Sequence, residues 1–160
     1  MTESVEMRLG AALTGGAHCL ALAESCTGGL IAHRVTRVPG SSAYFDRGLV
    51  VYSNRAKCEL LGVPPELLEH QGAVSEACAR AMLAGLFART PATVAAAVTG
   101  IAGPAGGSTE KPVGTVWLAW GRRGEGRAEC RRFPGDRVAV MEAVAGHALH
   151  RLLECVEKPD

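Results

Sequence analysis

Ala23-Glu24-Ser25-Cys26-Thr27-Gly28-Gly29 joins two elements of different kinds. Before it, the short apolar run Cys19-Leu20-Ala21-Leu22 reads as a buried strand; after it, Leu30-Ile31-Ala32 opens a helical pattern. A strand that turns through glycines into a helix is the repeating unit of an open α/β sheet, and the carboxyl end of such a strand opens onto the crevice where these folds bind ligands. Ser25 sits at that turn. Its hydroxyl has two readings at this point, a nucleophile or an ordinary helix cap. Gly28 and Gly29 carry no Cβ, so a ligand can approach the main chain closely, and the first N–H groups of the helix bring a positive dipole end to the same place. That field would also stabilise a thiolate, which makes Cys26 a rival nucleophile.

Upstream, Val5, Leu9, Ala12 and Leu13 recur at helical spacing, and Gly15-Gly16 stops that helix ahead of the strand. Downstream, the helix after Gly29 runs to about Val38 and ends at Pro39-Gly40-Ser41-Ser42. Gly48-Leu49-Val50-Val51-Tyr52 is a second strand, and Ser53 or Asn54 caps a short helix holding Ala56, Lys57, Leu60 and Leu61, with Gly62 as its stop. Pro64-Pro65 begins another short helix. Ser75-Glu76 caps a long one whose buried face is Ala79, Met82, Leu83, Leu86 and Phe87. A strand of small and branched residues over 93–99 leads into a glycine-rich loop over 100–112. Strands over 114–120 and 127–133 form an antiparallel pair, a closing helix covers 138 to about 156, and 157–160 is a tail. This order predicts one domain over residues 1–160, a three-layer α/β/α fold with a mixed, mostly parallel sheet of about five strands.

A chain of 160 residues with 48% hydrophobic content can bury a core without covalent staples. The 17 basic and 16 acidic residues nearly cancel, leaving no electrostatic footprint for nucleic acid and no polybasic membrane anchor. No apolar run approaches the roughly 20 residues that span a bilayer, and the first residues lack the basic and apolar regions of a signal peptide. These features predict a cytoplasmic protein with a small-molecule partner. Cys19, Cys26, Cys58, Cys78, Cys130 and Cys155 include no C-x-x-C pair, and most lie in apolar segments, which favours buried free thiols over disulfides or a zinc site.

Chemistry-bearing residues cluster at predicted strand ends. The loop Thr99-Gly100-Ile101-Ala102-Gly103-Pro104-Ala105-Gly106-Gly107-Ser108 can wrap N–H groups around an anion or simply flex. It is neither a P-loop nor a G-x-G-x-x-G fingerprint, since Lys111 is followed by Pro112 and the glycine spacing is wrong. Lysine is scarce, with only Lys57, Lys111 and Lys158 present. A desolvated lysine can lose its proton and act as general base, as arginine cannot. Lys57 follows the Tyr52 strand end and is open to two readings, a base facing the Ser25 crevice or a solvated surface residue; the S-x-x-K spacing is absent. His147 and His150 share a helix face with Glu154 but form no convincing metal site. Arg122, Arg123, Arg127, Arg131 and Arg132, interleaved with Glu125 and Glu129, read as a solvated face, whereas Arg137 follows Pro134-Gly135-Asp136 at a helix mouth that can grip a phosphate.

Ala23-Glu24-Ser25-Cys26-Thr27-Gly28-Gly29, Gly40-Ser41-Ser42, Tyr52-Ser53-Asn54-Arg55-Ala56-Lys57, Gly72-Ala73-Val74-Ser75, Thr99-Gly100-Ile101-Ala102-Gly103-Pro104 and Lys111-Pro112-Val113-Gly114-Thr115-Val116, in this order, resemble the CinA C-terminal domain family over nearly the whole chain. The resemblance implies a Ser/Lys amidohydrolase that converts nicotinamide mononucleotide to nicotinic acid mononucleotide and ammonia. Ser25 matches the family's serine, Lys57 its lysine and Tyr52 an assisting tyrosine. Neutral Lys57 would take the Ser25 proton, N–H groups of Cys26, Thr27 and Gly28 would hold the oxyanion, and Tyr52 would relay a proton to the leaving ammonia. Ser42, Thr99, Gly100, Gly103 and Arg137 are further substrate-binding candidates, the glycine loop or Arg137 taking the phosphate. No metal or organic cofactor is needed, and a homodimer is implied. Larger family members carry another domain ahead of this one, whose activity is not expected of a chain starting at Met1. Two other classes stay open, a non-catalytic nucleotide-binding module and a serine amidase for another amide, and ammonia release separates them.

Overall fold

The computed structural model describes residues 2–158, so Pro159 and Asp160 of the expected tail lie outside the described residues. The elements follow in the order α1 (Val5–Gly15), β1 (Leu20–Glu24), α2 (Leu30–Thr36), a 3-10 turn (Ser41–Ala43), β2 (Phe45–Val50), α3 (Asn54–Leu61), α4 (Pro65–Gln71), α5 (Glu76–Arg89), β3 (Val94–Gly100), β4 (Thr115–Arg122), β5 (Arg127–Arg132) and α6 (Arg137–Glu157). Among the described residues the sheet order is β2-β1-β3-β4-β5. β1 pairs in parallel with β2 and β3, while β4 pairs antiparallel with β3 and β5. Four strands therefore run one way and β4 the other, the mixed α/β/α sandwich that the sequence predicts.

Strand periodicity builds the two cores. Leu20 and Leu22 of β1 and Val94, Ala96 and Val98 of β3 face α1, α2 and α6, where Leu9, Leu13, Ile31, Val144, Leu149 and Leu152 close the layer. Ala21 and Ala23 of β1 and Ala95 and Ala97 of β3 face the other way, onto Leu61 of α3, Leu68 of α4 and Met82 and Leu86 of α5. Alanine on this second face lets α5 lie close to the sheet. β1 is buried along its whole length because strands flank it on both sides.

Boundaries differ from the sequence reading where pairing overrides local pattern. β2 begins at Phe45, three residues before the expected Gly48, because Leu20 already pairs with Phe45. It ends at Val50, and Val51 and Tyr52 leave the ladder. β4 continues through Gly121 and Arg122, which pair with Ala95 and Val94, so the hairpin turn is shorter than predicted. Arg123 is not merely solvated: it donates to the carbonyls of Phe87, Thr90 and Ala92 and lies over the Phe87 ring, tying the end of α5 to the sheet. Glu129 likewise binds Arg151 and His147 of α6, so the expected solvated face is partly a clamp. Of the cysteines, Cys26 and Cys78 are buried, Cys130 is exposed, and all six are free.

The register sets up the site. Glu24 pairs with both Val50 and Val98, so β1, β2 and β3 end level with one another. β4 starts beside that edge, β5 ends beside it and α6 begins there, since Thr115 pairs with Arg132 and Gly100 with Val116. Ser25, Val51, Tyr52, Thr99, Gly100 and Arg137 are thereby brought to one end of the sheet.

Candidate active site

Alternation along β1 continues one residue past its end, which puts Ser25 on the same face as Ala21 and Ala23, toward α3. Helix α3 is fixed at its start by Ser53, whose Oγ accepts from Ala56 N–H at 3.0 Å. Lys57, one turn further, points inward and is only 1% exposed. Its Nζ lies 3.1 Å from Ser25 Oγ, 3.0 Å from the Val51 carbonyl and 3.2 Å from the Tyr52 carbonyl. An uncharged amine has two N–H groups and one lone pair. In that form the two carbonyls would take the N–H groups and the lone pair would be left for the proton on Ser25, whereas the ammonium form donates to all three oxygens. Burial pulls the Lys57 pKa below its ordinary value, and the nearby thiols of Cys78, Cys26 and Cys58 oppose this more weakly. Among the described residues no carboxylate pairs with Lys57 to oppose the effect of burial.

The turn after Ser25 is tied at both ends. Ser25 N–H donates to the Val98 carbonyl at 3.1 Å, and the Ser25 carbonyl accepts from Gly28 N–H at 3.0 Å. Gly28 and Gly29 have φ of +59° and +103°, and the second value in particular is open to glycine rather than to residues with a side chain. Two sequence readings change here. The Gly28 N–H is used by the turn itself, which leaves Cys26 and Thr27 N–H without a backbone partner among the described residues as donors for an oxyanion. Moreover, the start of α2 is not an open anion site, because the buried Glu24 carboxylate accepts from Ile31 N–H at 2.8 Å and Ala32 N–H at 3.0 Å. Glu24 also accepts from Thr27 Oγ1 at 2.7 Å, so the Thr27 side chain is committed and only its main chain is available. The sequence reading assigned Glu24 no role; its signal was a carboxylate just before a helix whose capping position, Gly29, has no side chain. Cys26 packs in the core beneath α2, and burial pushes its thiol up to about 12, so it supplies an N–H and no thiolate.

Tyr52 is 58% exposed, and its phenolic oxygen accepts from Arg137 at 2.7 Å. Among the described residues that is its hydrogen-bond partner; it does not reach Ser25 or Lys57. The other arm of Arg137 donates to the Gly103 carbonyl at 2.6 Å. Arg137 thus bridges the end of β2 and the glycine loop with neutral acceptors, and no described carboxylate neutralises it. Thr99 is buried with Oγ1 donating to the Ala73 carbonyl at 2.8 Å, which draws the segment before α5 to the crevice. Gly100 is required by packing, since a Cβ there would stand 2.5 Å from Val116 Cγ2. Ser42 is a correction. It lies in the 3-10 turn before β2, at the end of the sheet where Tyr44 O accepts from Leu20 N–H, four strand residues from the crevice edge. At about 3.3 Å per residue it is more than 10 Å from Ser25 and takes no part in this crevice.

The fold agrees with the comparisons. The model of the CinA C-terminal domain matches residues 2–156. The chain belongs to the CinA C-terminal domain family. It is 55% identical to a CinA-like protein of Akkermansia muciniphila over 139 residues, which is 86% of this chain but 34% of that protein. The chain spans about a third of the length of the CinA-like relatives it matches. It is 48% identical over 159 residues to the nicotinamide-nucleotide amidohydrolase PncC of Escherichia coli K12, covering 95% of both chains. The crystal structure of competence/damage inducible protein CihA from Agrobacterium tumefaciens superposes with a TM-score of 0.93 at 40% identity, over 99% of this chain and 100% of that one.

Proposed function

We propose that this chain is a nicotinamide-nucleotide amidohydrolase that cleaves the carboxamide of nicotinamide mononucleotide, giving nicotinic acid mononucleotide and ammonia. The observation that carries the chemistry is the buried Lys57 amine 3.1 Å from Ser25 Oγ, with two carbonyls occupying its N–H groups. Full-length relatives named for this activity support the substrate.

Ser25 Oγ attacks the carboxamide carbon as its proton passes to the Lys57 lone pair. Charge develops on the former carbonyl oxygen, for which Cys26 and Thr27 N–H, without backbone partners among the described residues, serve as donors. Protonated Lys57, unfavourable in its buried setting, returns the proton to the departing nitrogen, and ammonia leaves. Water, activated by the again neutral Lys57, then cleaves the acyl-enzyme and releases the acid. Tyr52 does not sit on this proton path; its phenol and Arg137 form the rim that receives the nucleotide. Arg137, without a carboxylate partner, takes the phosphate. Ammonia release from nicotinamide mononucleotide by the purified protein tests the reading. Ligand binding without release would make the chain a binding module, and release only from other amides would make it an amidase of different specificity. We also infer a homodimer, which light scattering tests.

A further inference from the structure

We propose that Glu24 is a positioning residue that aims the oxyanion donors of the Ser25 turn. The proposal rests on the amidohydrolase reading above. The turn holds two adjacent glycines at positive φ, Gly28 and Gly29, so without other restraints its backbone has wide conformational freedom. A flexible turn cannot present fixed N–H groups. Glu24 removes that freedom from below: its carboxylate is 1% exposed and receives Thr27 Oγ1, Ile31 N–H and Ala32 N–H, binding the middle of the turn to the first turn of α2. One carboxylate thus performs the capping that Gly29 cannot and also holds Thr27, whose N–H is an oxyanion donor. No described lysine or arginine pairs with Glu24, so its charge is balanced by these donors alone.

Strand alternation separates the two functions. Ser25 faces α3 and Lys57, whereas Glu24 faces α2 on the other side of the sheet, so a change at Glu24 alters the donors without touching the base. The amide of glutamine has one acceptor oxygen and an N–H₂ group, and replacing the carboxylate turns a donor toward Ile31 or Ala32 N–H.

The experiment compares the parent, Glu24→Gln, Thr27→Val and the double variant. Competent sites are counted by a fluorophosphonate, which Ser25 Oγ attacks with loss of fluoride, and kcat and KM for nicotinamide mononucleotide are expressed per labelled site. The expected result is a kcat per site lower by on the order of tenfold to a hundredfold in Glu24→Gln, with KM within about twofold. Thr27→Val should lose less, because it removes one of the three hydrogen bonds to the Glu24 carboxylate, and the double variant should lose less than the sum of the two single losses in free energy, because both act on the same turn. A parent-like kcat per site with fewer sites would reduce Glu24 to a structural cap and overturn the proposal. If Glu24→Gln does not fold, Thr27→Val decides, and an unchanged kcat per site overturns it. If the parent releases no ammonia, the amidohydrolase reading has failed separately. The rate of Ser25 labelling then reads the same donors, slower labelling in the variants supporting the role of Glu24 and parent-like labelling refuting it.

Discussion

At the scale of single residues, the chemistry depends on which groups can ionise. A serine hydroxyl needs a base, and Lys57 qualifies because burial lowers its pKa and its two amine N–H groups already have acceptors. The active form is the deprotonated one, so activity should rise with pH through an apparent pKa below the roughly 10.4 of free lysine. A flat pH profile, or a rise only near that free value, would count against Lys57 as base. Lys57→Arg should be nearly as inactive as Lys57→Ala despite keeping a charge, because arginine does not release its proton. Ser25→Ala should abolish ammonia release while sparing fold and ligand affinity. Cys26→Ala should keep the rate within a few-fold and lose only about 1 kcal/mol of stability from the small cavity left in the core. A dead Cys26 variant beside an active Ser25 variant would exchange their roles.

At the scale of elements, the base is held by the packing of α3 on α5. The Leu61 carbonyl, at the end of α3, accepts from Arg89 at 2.9 Å, and one helical turn earlier Gly85 gives α3 room to approach. A Cβ at Gly85 would stand 2.1 Å from that same carbonyl, which is backbone and cannot rotate away. Gly85→Ala should therefore cost about 1–3 kcal/mol of stability and, by displacing the helix that carries Lys57, lower kcat in the molecules that remain folded. Thermal melts with kinetics per labelled Ser25 measure both. On the far side of the sheet, hydrogen bonds from Arg151 and His147 hold the Glu129 carboxyl at about 2, against an ordinary 4.5. Its folded pKa is depressed, so the stability it contributes is present above the unfolded value and is lost as pH falls from about 4.5 to about 2. Glu129→Gln should consequently show a shallower fall in denaturant midpoint than the parent across that window.

At the scale of the whole molecule, one guanidinium joins elements distant in sequence. Arg137 opens α6 and reaches both Tyr52 after β2 and Gly103 in the glycine loop, so closing helix, edge strand and loop share one contact. If this rim receives the nucleotide phosphate, nicotinamide mononucleotide should be hydrolysed far better than nicotinamide riboside. Arg137→Ala should erode that preference by roughly 2 kcal/mol, the scale of a charge-assisted contact. Equal rates on the two compounds in the parent would remove the phosphate site, and an unchanged preference in the variant would leave the glycine loop as its holder.

The sequence by itself determined the class of fold and the nucleophile's turn, because both rest on local rules. Strand and helix periodicity, Ser53 and Ser75 as caps, and the glycines after Ser25 act within a few residues of where they stand. Family motifs singled out Lys57, yet the residue pattern alone left it between base and surface lysine. Only the tertiary structure resolved its burial, since desolvation is a property of the surroundings contributed by β1, β2 and α5. The same reason explains the readings that changed. Cys26 adjoins the nucleophile in sequence, but alternation of side chains turns its thiol into the core. Ser42 belongs to one of the family motifs, but it precedes β2, and the direction of that strand leaves it at the opposite end of the sheet. Glu24 gained its role from donors seven and eight residues ahead, which a parallel strand and its following helix bring back over the carboxylate.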